Sequence, residues 1–353
     1  MLLRFKVKNY RSIRDEAVLD MEAAGLGDHK ECLLKYKNGE YLPVVSINGK
    51  NGGGKSNVIR AMWLATQFIK NAQRTQYESA EVPVRPFELN DYSRNEPTSF
   101  EFEYEDNGIG YWYSFSATRK CICEEHLYWS PRGQRAVVFD RHYQDFSFPA
   151  NGEKKIKEMI SRAVAPNQLF FAISCVMNYV PCTKAMKWFR TNVFFSRDYS
   201  DLGANLLDYS DDSEMLNSIA TIAKVADLGI SDIKFEMNNR IITNLDELPD
   251  DMSLENKQKI ETALADLRER LSGNADNISD AIQFNELKVT PLHTGIDSNG
   301  GKIEYPLSLS DESDGTIRLM ARATAMESAI RNGGVLIIDE IEERLHPVLV
   351  EHI

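Results

Sequence analysis

Gly49-Lys50-Asn51-Gly52-Gly53-Gly54-Lys55-Ser56 satisfies the pattern G-x-x-x-x-G-K-[ST] at every fixed position. A loop that wraps phosphate turns its backbone N–H groups inward through conformations that side chains obstruct, and glycines at 49, 52, 53 and 54 supply that freedom. Pro43 to Ile47, just before it, reads as a short apolar strand. Asn57 to Ala72, just after it, reads as a helix with Ile59, Met62, Trp63, Thr66 and Ile69 or Lys70 on related faces. A helix starting near Lys55 adds unpaired amides and the positive end of its dipole. Asn48, Gly49, Lys50, Asn51, Gly52, Gly53, Gly54, Lys55, Ser56 and Asn57 are therefore the candidate phosphate-binding residues. Lys55 is placed to reach the β and γ phosphates of a nucleotide, Ser56 to ligate Mg²⁺, and Asn57 to offer its amide to the α phosphate. The competing reading, a glycine-rich turn that happens to precede Lys-Ser, leaves both flanks unexplained.

Far downstream, Val335-Leu336-Ile337-Ile338 is an aliphatic run closed by Asp339 and Glu340. Alone it is a buried strand with a charged end. Paired with a phosphate loop, it supplies Asp339 for the Mg²⁺ shell and Glu340 to orient or deprotonate an attacking water. Between the two lies Leu307-Ser308-Leu309-Ser310-Asp311-Glu312-Ser313-Asp314-Gly315-Thr316, followed by a helical pattern from Ile317 to Ile330. A hydroxyl and free amides at a helix start form an anion site, although Ser313 or Asp311 there would also serve as a plain N-cap.

With these motifs the sequence resembles the ABC-class AAA ATPases of the SMC, RecF and OLD kind. The opening Phe5-Lys6-Val7-Lys8-Asn9-Tyr10-Arg11-Ser12, the phosphate loop, and Asp339 to Pro347 with its Leu345-His346-Pro347 ending look like the OLD-like branch, which includes ATPase subunits of anti-phage systems such as PARIS and Septu. The resemblance implies that Ser313 and Gly315 bind the γ phosphate of ATP held by an opposite subunit, so that nucleotides are sandwiched in a head-to-tail dimer or larger ring. Asp314 stands where that family usually has glycine. Lys55 and Ser313 are 258 positions apart, more than a transporter cassette holds and less than an SMC arm requires. The resemblance also implies a further strand and a switch histidine beyond Glu340, yet only 13 residues follow, so a partial chain is expected, or strands supplied from elsewhere. The glutamine of the Mg²⁺ loop stays open among Gln67, Gln134, Gln144 and Gln168.

The rest of the chain sets bounds. Its 353 residues, 42% hydrophobic and 10% aromatic, allow two ordinary domains or one with a large insertion. Mean hydropathy is −0.39 and no apolar run approaches the roughly 20 residues of a membrane helix, so no membrane partner and a cytoplasmic home are expected. The cysteines number five, an odd count, and read as free thiols, with no zinc spacing around Cys121 and Cys123. Net charge is −12, and residues 201 to 290 carry 19 acidic against 8 basic side chains. That segment repels free DNA, because nonspecific binding depends on displacing counterions with Lys and Arg. Leu3, Phe5 and Val7 alternate with Arg4, Lys6 and Lys8 as a strand, and Ala17 to Met21 as another. Phe100, Phe102, Tyr104, Tyr111, Tyr113, Phe115, Ile122 and Leu127 to Trp129 mark an antiparallel meander with one buried aromatic face. Lys154 to Ala163, Leu169 to Tyr179 and Leu254 to Leu271 read as helices, with Pro149, Pro166 and Pro181 as punctuation.

The expected architecture is α/β: an ABC-type P-loop ATPase core with an antiparallel β flank and a mostly helical acidic insertion. Residues 1–190, with the loop at 49–56 and the meander at 98–130, form the first part of the head. Residues 200–290 are the insertion, and 291–353 complete the head. The expected activity is Mg²⁺-dependent ATP hydrolysis in a homo-oligomer that controls a protein effector, a TOPRIM- or HNH-type nuclease, in anti-phage defence. The alternatives are a RecF- or SMC-like ATPase that clamps DNA for repair, and a nucleotide-gated scaffold with little turnover.

Overall fold

The computed structural model describes residues 1–25, 29–37, 39–71, 81–150, 153–196, 202–207, 209–226, 229–242, 261–262 and 282–341. The alternation at the amino terminus becomes strand β1 (Leu2–Lys8), which pairs antiparallel with β2 (Ala17–Asp20). A tight turn joins them, Tyr10 and Ile13 exchanging backbone bonds of 2.7 and 2.8 Å. Asn9 sets that turn, with φ of 55° and a side chain that donates to the carbonyls of Ser93 and Glu96 at 2.8 and 2.9 Å. Its amide oxygen accepts the Phe87 N–H at 2.9 Å. A hairpin β3 (Leu34–Tyr36) and β4 (Gly39–Tyr41) forms its own small sheet, tied to the segment after β2 by a bridge between Glu22 and Tyr41.

Helix α1 (Lys55–Asn71) follows the phosphate loop. The expected strand at Pro43 to Ile47 does not form: those residues carry no ladder, and Val44 is 79% exposed. A strand requires a paired neighbour, and these residues are paired with none.

The meander appears where the alternation placed it, as β5 (Thr98–Asp106), β6 (Ile109–Ala117) and β7 (Ile122–Trp129). It continues into β8 (Ala136–His142) and β9 (Asp145–Ser147), which complete an antiparallel seven-stranded sheet in the order β2-β1-β5-β6-β7-β8-β9. Three further helices, α2 (Lys154–Ser161), α3 (Phe170–Val176) and α4 (Val180–Thr191), come next. The sheet's aromatic side packs on them and on α1. Phe5 meets Phe102 with ring centroids 4.8 Å apart, Tyr104 stacks on Trp188 at 4.4 Å, and Tyr113 meets Phe171 at 4.5 Å. Each such ring taken out of water contributes about 1.5–3 kcal/mol. On the other side of the sheet two of the basic residues of β1 are matched: Arg4 pairs with Asp20 at 2.8 Å and Glu103 at 3.4 Å, and Lys6 with Glu101 at 3.0 Å.

Glu125 lies within this core and is fully buried. Its carboxylate accepts the amides of Phe170 and Phe171 at 2.8 and 2.9 Å, the Tyr113 hydroxyl at 3.0 Å and the Arg141 guanidinium at 3.2 Å. It thereby supplies the acceptors that the first turn of α3 lacks. The buried Tyr113 hydroxyl, beside that carboxylate, titrates well above the usual tyrosine value, chiefly through loss of water.

Strand β10 (Val193–Ser196) is the last element before the chain crosses into a second compact unit. One unit comprises Met1–Phe195 with Asn332–Ile337, the other Ser196–Arg331 with Ile338–Ile353. The second unit holds α5 (Leu202–Leu207), α6 (Ser213–Ala226), β11 (Ile230–Ile242), β12 (Ile282–Ile296), β13 (Lys302–Pro306) and α7 (Asp314–Asn332), whose last residue falls across the boundary. Its sheet is antiparallel in the order β11-β12-β13, and Leu206, Met215, Ile219, Ile233, Val289 and Met320 are buried in its core. The acidic segment thus contributes two long strands as well as helices. The helix expected over Leu254 to Leu271 and the Leu345-His346-Pro347 stretch lie outside the described residues. Strand β14 (Val335–Ile338) pairs with β10. Among the described residues no helix is long and apolar enough to cross a membrane, and all five cysteines are free.

Candidate functional site

The phosphate loop folds around its own lysine. Lys55 Nζ donates to the carbonyl oxygens of Gly49 at 2.7 Å and Lys50 at 3.1 Å, which holds a half-buried ammonium inside the curve of the loop. Gly53 N–H closes the turn onto Lys50 O at 3.0 Å, and a Cβ at Gly53 would meet that same oxygen at 2.9 Å. Gly52 and Gly54 have φ of +78° and +90°, a region that side chains rarely enter. The Gly54 carbonyl accepts from Asn57 N at 2.9 Å and Val58 N at 3.2 Å, so the loop runs directly into α1. Asn48, Lys50 and Asn51 are exposed along its rim, and Asn48 Nδ2 donates to Ser46 Oγ at 2.9 Å. Ser56 is half-buried in the first turn of α1. Lysine, glycine amides and helix start form one concave, positively biased cradle, which fits a phosphate chain.

The turn after β1 also reaches this loop. Asn57 Nδ2 donates to Ser12 Oγ at 2.6 Å, and a Cβ at Gly54 would lie 3.3 Å from the same hydroxyl. Arg11, next to Ser12, has φ of 50° and bonds backbone to backbone with Arg85 at 2.8 Å. Its guanidinium Nε is buried without a hydrogen-bond partner. Sequence reasoning quoted Arg11 and Ser12 within the opening stretch and assigned them no role. No local pattern marks them: the turn is folded toward the loop by two positive-φ residues, Asn9 and Arg11.

In the second unit, Ser313 caps α7. Its Oγ accepts the Thr316 amide at 3.1 Å and lies 2.8 Å from Thr316 Oγ1, with Gly315 in the first turn. The capping role is therefore present, and it leaves the hydroxyl at a helix start. Glu312, one residue earlier and nearly buried, meets His293 Nε2 at 2.6 Å. Asp339 is half-buried directly after β14, and Glu340 is exposed with φ of 53°. Arg322, fully buried on α7, donates through Nη2 to the Glu340 carbonyl at 3.2 Å and through Nη1 to the Ile341 carbonyl at 2.5 Å. The glutamine candidates are spread over unit one. Gln67 lies on α1, Gln134 precedes β8, Gln144 lies between β8 and β9, and Gln168 Oε1 accepts from Ala165 N at 3.0 Å.

A lysine gripped by a glycine loop at the start of a helix marks a P-loop nucleotide-binding protein, here of mixed α/β build with a large antiparallel sheet. The chain belongs to the family described as "AAA domain, putative AbiEii toxin, Type IV TA system", whose model matches residues 44–353. The hairpin turn with Arg11 and Ser12 precedes that matched stretch. Among solved structures, the recombination mediator protein RecF-ATPrS in the RecFOR pathway is similar at 13% identity, covering 100% of this chain and 89% of that chain, with a TM-score of 0.36. No curated protein matches this chain.

Proposed function

We propose that this chain binds and hydrolyses Mg·ATP and uses the nucleotide to join copies of itself. The observation that carries the reading is the Lys55 ammonium held 2.7 Å from Gly49 O inside the loop at the start of α1. Phosphate oxygens offer that ammonium a stronger acceptor than two neutral carbonyls do. Amides of the loop orient the phosphates, and the buried Arg11 Nε is a further donor at the turn beside it. Ser56 and Asp339 carry the oxygens suited to Mg²⁺, which supplies neutralising charge on the β and γ phosphates when bound. Glu340 holds the attacking water and takes its proton. Ser313 and Gly315, at the amino end of α7, present a hydroxyl and amides to the γ phosphate of a neighbouring copy.

The output of the cycle is control of a protein effector, of nuclease type, in defence against phage. Support for that step is the family's toxin and antitoxin description and the sequence resemblance, which are analogies. Clamping of DNA is disfavoured by the ion pairs that neutralise Arg4 and Lys6 and by the acidic 201–290 segment.

Two variants test the core of the reading. Lys55→Ala removes a charge-assisted contact and is expected to weaken ATP binding by about 10- to 100-fold in a fluorescent-nucleotide titration. Glu340→Gln keeps binding and lowers turnover by about 10²- to 10⁴-fold, the range of a lost general base. ATP bound equally well by Lys55→Ala, or equal turnover by Glu340→Gln and wild type, would refute the assignment.

A further inference from the structure

We infer that Arg322 is a positioning residue for Glu340, and that through it the anion-binding end of α7 and the hydrolytic turn move as one piece; this rests on the proposed function and extends it. Glu340 is not a glycine, yet it occupies the left-handed region with φ of 53°. Such a conformation is strained for a side-chain-bearing residue and persists only where surrounding structure over-determines it. Here the guanidinium of Arg322 grips the two consecutive carbonyls that the turn exposes, those of Glu340 and Ile341. Two donors in a rigid plane fix the direction of the carbonyl that leaves the Glu340 Cα and of the one after it, which restrains the backbone of Glu340 on its carboxyl side. The side chain of Glu340 stays exposed while its backbone is held from behind by a side chain with no exposed surface.

Arg322 lies eight positions along the helix from Asp314, roughly 12 Å from the end where Ser313 and Gly315 sit. A helix is stiff over that length. Displacement of its amino end by an anion is transmitted to the carbonyls that Arg322 holds. Arg322 would thus let an anion at Ser313 set the geometry of the turn that carries Glu340. No step of this needs Arg322 to touch nucleotide.

The test compares wild type, Arg322→Ala, Arg322→Lys and Glu340→Gln for turnover at saturating ATP, nucleotide affinity and melting temperature. Lysine keeps the charge and the stem but loses the planar fork. For Arg322→Lys the expected result is a kcat lowered by about 10²-fold, the cost of a misplaced reacting group, with nucleotide affinity and melting temperature near wild type. Arg322→Ala should lose at least as much turnover. Wild-type kcat in Arg322→Lys overturns the inference. So does a loss of affinity that matches the loss of kcat, or a chain that no longer folds with lysine there, since the guanidinium would then be a scaffold and not a positioner. Failure of the underlying reading is separate: it shows as wild type that binds no ATP, or as Glu340→Gln turning over at the wild-type rate.

Discussion

Gly54 combines a φ of +90° with a Cβ position only 3.3 Å from the Ser12 hydroxyl, so a branched side chain there meets both backbone strain and a neighbour. Gly54→Val is therefore expected to open the loop and weaken nucleotide binding by about 10-fold or more, with little change in melting temperature because the loop is solvent-facing. Titration with a fluorescent ATP analogue beside a thermal melt reads both, and undiminished affinity would count against the loop as a phosphate cradle. The glycines, Lys55 and the Asp339-Glu340 pair were legible in the sequence because each is a local pattern. Ser12 was not, since its meeting with Asn57 spans 45 positions and depends on two positive-φ residues that no composition reveals. Arg322 was hidden for a related reason: in a helical pattern an arginine among small residues reads as solvated, and only the fold shows it buried.

The elements that alternate cleanly were legible almost to the residue, β5 and β6 above all, because nearly every second side chain there is aromatic or β-branched and most of the other face is polar. Pro181, expected to punctuate the chain, instead opens helix α4: proline sits in the first turn of that helix, where its absent N–H costs nothing. The strand at Pro43 to Ile47 failed the other way, as apolar residues without a paired edge. Strands β11 and β12 were missed because Asn238-Asn239 and Asn285 interrupt their alternation with turn-forming residues. At this scale Glu125 has the sharpest consequence. Glu125→Ala leaves the Arg141 guanidinium buried without its carboxylate and strips the first turn of α3 of two acceptors. A loss of about 3–5 kcal/mol is expected, measurable by denaturant unfolding, and a change under about 1 kcal/mol would mean that water replaces the carboxylate.

At the scale of the whole molecule, the charge is divided by unit. Residues 201 to 290 hold 19 acidic and 8 basic residues and belong to the second unit, while Arg4 and Lys6 on β1 of the first are paired with Asp20, Glu101 and Glu103. Duplex DNA is accordingly expected to leave ATP turnover unchanged at any salt between ~50 and ~200 mM, the range over which phosphate contacts lose most of their strength. Stimulation that fades with salt would restore the DNA-clamp reading.

The pairing of β10 with β14 also bears on how the chain is made. Asn192 and Asn332 are 140 positions apart, and the Asn192 side chain bonds the Asn332 carbonyl at 2.7 Å while its own carbonyl accepts Val335 N at 2.6 Å. On a ribosome adding roughly 5–20 residues per second, β10 emerges on the order of ten to thirty seconds before its mate. For that interval it is a nascent edge open to foreign strands. Slow codons in the 201–290 stretch would lengthen the exposure, and chaperone occupancy should peak while that stretch is being translated.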